Sequence, residues 1–91
     1  ASNISVNVEI EIINLGEKTA DNITIFVRAL NQNNTKLYEG NISLTVMLLQ
    51  ENENCTGYYV IQIVPSDTKI KHTIEISWAD GRNTYHKETT I

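Results

Sequence analysis

Apolar and polar residues alternate one by one along most of this chain, and that period-two pattern most restricts its fold. Val6, Val8, Ile10 and Ile12 interleave with Ser5, Asn7, Glu9 and Glu11. A strand there has one buried and one wet face. The 3.6-residue recurrence of an amphipathic helix is absent. After a turn at Asn14-Leu15-Gly16-Glu17-Lys18, the segment Ile23 to Leu30 alternates again, with Ile23, Ile25 and Val27 on one face and Thr24, Phe26 and Arg28 on the other. Asn31-Gln32-Asn33-Asn34 reads as the next turn, because Asn tolerates left-handed backbone. Lys36 to Glu39 is a short strand closed by Gly40. Ile42 to Leu49, apolar on both faces toward its end, is expected to be a central strand. Gln50 to Thr56 is polar and reads as a loop. Tyr58 to Val64, Ile70 to Trp78 and Thr84 to Ile91 complete the set, separated by Pro65-Ser66-Asp67 and by Asp80-Gly81, the strongest hairpin signal in the chain.

Seven strands with turns every 8–12 residues or so are the spacing of a sandwich. The expected fold is all-β, a seven-stranded immunoglobulin-like β-sandwich, with a small barrel as the rival. A chain of 91 residues buries about 60–65% of its unfolded surface, enough for one modest core, so residues 1–91 are read as one domain. Val6, Val8, Ile10, Ile12, Ile25, Val27, Leu44, Val46, Ile61, Ile63, Ile74, Ile76 and Trp78 are the expected core. With Asp80 and Gly81 as the two hairpin loop residues, Trp78 pairs with Asn83, Ile76 with Tyr85, Ile74 with Lys87, His72 with Thr89 and Ile70 with Ile91, all on the apolar face. On the other face Glu75 meets His86. A type I′ turn then puts Gly81 at positive φ.

Between Asn14 and Ile25 the sequence carries a pattern: a strand ending in Asn14-x-Gly16, then Thr19-Ala20-x-Asn22-Ile23-Thr24-Ile25. It resembles the opening of CARDB-type (cell-adhesion-related) domains of archaeal and bacterial surface proteins. The resemblance implies an immunoglobulin-like sandwich, repeated along large exported proteins and usually without catalysis. It covers about a dozen residues, and physically requires little more than a Gly turn feeding a strand. Elsewhere the chain departs from that family. Gln50-Glu51-Asn52-Glu53-Asn54 replaces its Gly-containing turn before the fifth strand, and Trp78-Ala79-Asp80-Gly81 stands where an acidic, Asn-rich segment is usual.

Residue inventory narrows function. The net charge is -4 and the basic residues are scattered, which argues against nucleic acid. No run of apolar residues is long enough to span a bilayer. The chain starts without Met, with no basic or apolar leader, and enters a strand pattern almost at once. It is read as a piece of a longer exported protein. One cysteine, Cys55, permits no intrachain disulfide.

Five Asn-x-Ser/Thr sequons, at Asn3, Asn22, Asn33, Asn41 and Asn54, exceed the roughly two that chance provides. They fall at expected turns or strand starts, where a glycan projects into solvent, although turn Asn followed by strand Thr also arises from propensity alone. His72 and His86 fall on opposite faces and so share no metal. Glu9 with Glu11, and Glu51 with Glu53, lack the spacing of a calcium loop and read as solvated charge. Trp78 and Tyr85 read as core rather than as a sugar platform, and Tyr58 and Tyr59 point apart. No Gly-rich phosphate loop, G-x-S-x-G or cysteine–histidine nucleophile signature is present. The expected function is a non-enzymatic structural, adhesive or protein-interaction module at the cell surface or outside the cell. It would need no cofactor and no metal, and its partners would be another protein or neighbouring domains. The alternatives are a carbohydrate- or peptide-binding module and a subunit of a surface filament.

Overall fold

The computed structural model describes residues 3–46 and 48–90. Six strands account for most of them: β1 (Ile4–Ile13), β2 (Thr24–Asn31), β3 (Lys36–Ile42), β4 (Asn54–Ile63), β5 (Lys69–Trp78) and β6 (Gly81–Thr90). No helix occurs among the described residues. Every pairing is antiparallel, in two sheets ordered β1-β4 and β3-β2-β5-β6. The molecule is an elongated sandwich-like body of 48 × 20 × 19 Å.

The period-two pattern builds the core between the sheets. Ile23, Ile25, Val27 and Ala29 from β2 and its approach, Cys55, Tyr59, Ile61 and Ile63 from β4, and Ile70 and Ile74 from β5 are all buried, joined by Leu49. Of the expected core, Ile25, Val27, Ile61, Ile63 and Ile74 are buried. Val6, Val8, Ile10, Ile12, Leu44, Ile76 and Trp78 pack against that centre but are partly exposed. Val46 is a correction: it stands 45% exposed.

The strand expected at Ile42 to Leu49 is also corrected. Ile42 ends β3, and the described residues from Ser43 to Leu49 form no strand but make the isolated bridges Leu44↔Gly57 and Ala20↔Leu49; Met47 lies outside the described residues. This segment crosses from the β3 sheet toward β4 and anchors itself at two points. Apolarity on both faces therefore marks a crossover with scattered anchors here, not a central ladder, and the described residues hold six strands rather than seven. The loop expected through Thr56 ends sooner, because β4 starts at Asn54. Asn54 and Thr56 lie on its outer side while Cys55 and Gly57 are buried, so outward polar residues hid the inward alternation.

In the last hairpin Trp78 pairs with Gly81, Ile76 with Asn83, Ile74 with Tyr85, His72 with Lys87 and Ile70 with Thr89. The register differs from expectation by two residues. An even shift keeps each side chain on its face, so His72 and His86 still lie on opposite sides, but Thr73 rather than Glu75 faces His86. The pairing expected for Ile91 lies outside the described residues. The turn residues are Ala79 and Asp80, and no positive φ is found at them or at Gly81. Gly81 is required for another reason. A Cβ there would stand 3.0 Å from the Trp78 indole, which lies across the hairpin and covers the glycine.

Candidate functional site

The lower sheet has four strands and the upper sheet two, so part of the lower sheet has no cover. Tyr38 of β3 packs against Tyr59 of β4, ring centroids 5.3 Å apart, which places β4 over that flank. The exposed part is the other flank. There the inner face of β6 carries Asn83, Tyr85, Lys87 and Thr89, and Tyr85 is 53% exposed. The expectation of Tyr85 as core fails because no strand among the described residues lies over it.

Two clefts open along this flank, of about 490 and 440 Å³. Both are lined by Ile12, Ile13, Ile76 and Asn83, so they form one continuous trough between β1 and the inner face of β5 and β6. Trp78 and Leu15 line one end and Lys87 and Thr89 the other. Leu15, 83% exposed, projects from the loop after β1. Asn14 shapes that loop. Its side-chain amide donates to the carbonyls of Lys18 and Leu49, at 2.8 and 2.9 Å, and its side-chain oxygen accepts from the Gly16 N–H. The Asn14-x-Gly16 pattern is thus an Asx-type turn that also ties the 43–49 crossover to the first sheet.

Where the trough meets the covered flank, Tyr59 and His72 share a 2.6 Å hydrogen bond, both side chains buried. Burial, and then Lys87 nearby, lower the His72 pKa; burial, and then Tyr38, push Tyr59 up to about 12. The pair is neutral, a satisfied polar contact within an apolar core. Its residues were legible as inward-facing: Tyr59 is in phase with Ile61 and Ile63, and His72 with Ile70 and Ile74. Their mutual contact depends on how the sheets stack, which no local pattern reports.

The remaining candidates disperse. His86 is exposed, with Nδ1 3.3 Å from the Thr73 hydroxyl. Glu9 and Glu11 point outward from β1, and Glu53 accepts from the Gln50 N–H and closes its turn. Among the described residues no three His, Cys, Asp or Glu side chains gather as metal ligands would. Cys55 is buried, which raises its thiol pKa and withholds the reactive thiolate. Tyr58 and Tyr85 are both exposed but belong to opposite sides of the sandwich, Tyr58 beside Glu9 on the outer face.

All five sequon residues are exposed: Asn3, Asn22, Asn33, Asn41 and Asn54. Asn41 is inside β3, near its end, rather than at a strand start. Asn22 has φ 52°, the left-handed turn geometry expected of Asn. None of the five side-chain amides is hydrogen-bonded to another described residue, whereas those of Asn14, Asn31 and Asn34 are engaged through nitrogen or oxygen. The opposite end from Trp78 is locked. The Asp67 carboxylate accepts from the Asn31 side chain and the Val64 N–H, and Gln32 bonds to Ser66 and Thr68.

The chain matches no protein-family model, no curated protein and no solved structure.

Proposed function

We propose that this chain is an immunoglobulin-like module of an exported, surface-associated protein, akin to CARDB-type domains, acting through structure and protein contact rather than catalysis. The strand order carries this reading. In an immunoglobulin sandwich the second strand pairs with the fifth in one sheet, and the third, sixth and seventh form the other, extended in variable types by a further strand beside the third. Here β1-β4 has the place of the first pair and β3-β2-β5-β6 that of the extended sheet. The 43–49 crossover, bridged to β4 at Gly57, stands where the fourth strand of the seven would run.

The sequons support the exported location. Their side-chain amides point into solvent and are free to take a glycan, which a surface protein meets in its export route. No helix among the described residues is long and apolar enough to cross a membrane. The trough beside β1 favours a peptide-binding role as the second reading, over a sugar platform, because its open wall is a strand edge.

Antibody labelling of intact, unpermeabilised cells that produce the protein tests the reading. Surface labelling is expected, together with a mass excess that falls stepwise on Asn→Gln substitution at Asn22, Asn33 and Asn54. Labelling only after permeabilisation would overturn it.

A further inference from the structure

Four strand edges bound the two sheets, and three of them are guarded. The β3 edge carries Lys36, a bulge beside Leu30 and the extended Gly40. The β4 edge is bridged by the 43–49 crossover, where the Thr45 N–H donates to the Thr56 carbonyl. The β6 edge is lined by Arg82, Lys87 and Glu88. Charges, bulges and covering segments are how native sheets blunt an edge. The β1 edge carries Glu9 and Glu11 on its outer face, but over its ten residues it has no Pro, Gly, Lys or Arg, its register with β4 is unbroken, and no other described strand pairs with it.

The parity of that ladder shows which groups are free. The Asn14 N–H donates to Glu53, and Thr56, opposite Glu11, uses its carbonyl on the far side of β4. Alternation then turns the main chain of Val6, Val8, Ile10 and Ile12 toward β4, and that of Ser5, Asn7, Glu9, Glu11 and Ile13 outward to the open edge. Beside this edge lies the trough, whose opposite wall is the uncovered face of β6.

We propose that the β1 edge and the trough beside it accept an extended segment of a partner protein as an added β-strand, with alternate apolar side chains directed inward and an acidic one against Lys87. The added strand would sit over Tyr85 and bring the narrower sheet to three strands. Main-chain bonds to β1 supply affinity, and alternate inward pockets supply selectivity, as in other strand-addition complexes. Lys87 selects the acid. It faces inward beside His72 and forms no ion pair with another described residue. A second copy offering its own β1 does not meet this demand, since the inward residues of β1 are all apolar and Glu9 and Glu11 face out. The proposal deepens the protein-contact reading above by naming the chemistry of the partner.

The probe is a panel of end-blocked peptides of about ten residues that alternate Val and Thr, with one inward Val replaced by Glu at each position in turn, and a matched panel carrying Lys. Amide spectra of the domain should show at least one Glu peptide binding tighter than about 1 mM, with shifts at Ser5, Asn7, Glu9 and Glu11 and on the Tyr85 ring. Its Lys counterpart, and the Glu peptide against Lys87→Glu, should each bind about tenfold more weakly. N-methylation of the peptide amides that face β1 should abolish binding. Absence of binding across the panel, equal binding of Glu and Lys peptides, or shifts confined to β3 would overturn the proposal. So would concentration-dependent dimerisation that protects the β1 edge amides without peptide. The same spectra report the β1–β4 and β2–β5 cross-strand contacts. If those are lost the immunoglobulin-like reading fails, whereas intact pairing without peptide binding rejects strand addition alone.

Discussion

On one flank of the sandwich β4 lies over the four-stranded sheet, and Tyr38, Tyr59 and His72 pack in series, with ring centroids 5.3 and 6.0 Å apart. On the other flank β1 is the last strand of its sheet, and the inner face of β6 looks into an open trough. Both flanks descend from the same alternating pattern, and both put aromatic residues on the inward side. The difference is the number of strands above them. Burial is a property of the facing layer as much as of the residue, so Tyr59 is 3% exposed while Tyr85, equally inward by parity, is 53% exposed.

This contrast is most sharply broken at the centre. Ile61→Ala, at a fully buried position, should cost about 2–5 kcal/mol, from lost transfer energy and the cavity left behind. Urea denaturation measures it, and a loss under about 1 kcal/mol would show that the closed flank is loosely packed. Next comes the polar contact within that flank. Tyr59→Phe removes the hydroxyl and leaves the buried His72 nitrogen without its partner, at about 1–3 kcal/mol.

Acid probes the same pair by another route. The folded His72 has a lowered pKa, so the unfolded chain binds a proton more readily. The stability it contributes is fully present above the unfolded histidine value, near 6.5, and is lost as pH falls below it. The slope is at most about 1.4 kcal/mol per pH unit for one proton. His72→Gln should flatten the profile below about pH 6.5. Glu39 acts at lower pH. The Arg28 hydrogen bond holds its carboxyl below the usual range, so its contribution declines only as pH drops through the ordinary glutamate range.

Smaller effects belong to the open flank. Gly81→Val places side-chain atoms where the Trp78 indole lies and should cost about 1 kcal/mol, the lower end of overpacking, because the ring borders a cleft and has room to shift. Tryptophan emission should move to the red as the ring leaves its glycine. Tyr85→Ala should change stability by only about 0.5 kcal/mol, the range of surface substitutions. A loss near that of Ile61→Ala would mean that something covers β6 in solution and would erase the contrast between flanks.

Strand existence and facing were legible in the chain because a strand repeats every two residues and each position declares its own side. That is why Ile25, Val27, Ile61 and Ile74 could be named as core, and why the last hairpin kept every side chain on its expected face despite a two-residue error in register. The error arose because Asp80-Gly81 is a strong turn signal by propensity, whereas Gly81 is the first residue of β6, paired with Trp78 and lying against its indole. The candidate site was less legible. His72 and Lys87 were placed on the apolar face, but their burial and exposure were not evident from it. Exposure there depends on where the upper sheet ends.

The same limit explains the 43–49 crossover and the trough. Alternation and sequon spacing are local, so the residues alone gave the all-β character, the inward positions and the five candidate acceptors, and turn propensity placed most turns to within a residue or two. Whether two apolar faces meet, which strand becomes an edge and which aromatic ring is left uncovered are set by contacts between residues far apart in the chain. Tyr59 reaches His72 across 13 positions and Leu49 reaches Asn14 across 35. Such contacts form only when the sheets stack, and their energy comes from the area each layer hides from water. No local pattern carries that information, and the open edge of β1 follows from the stacking alone.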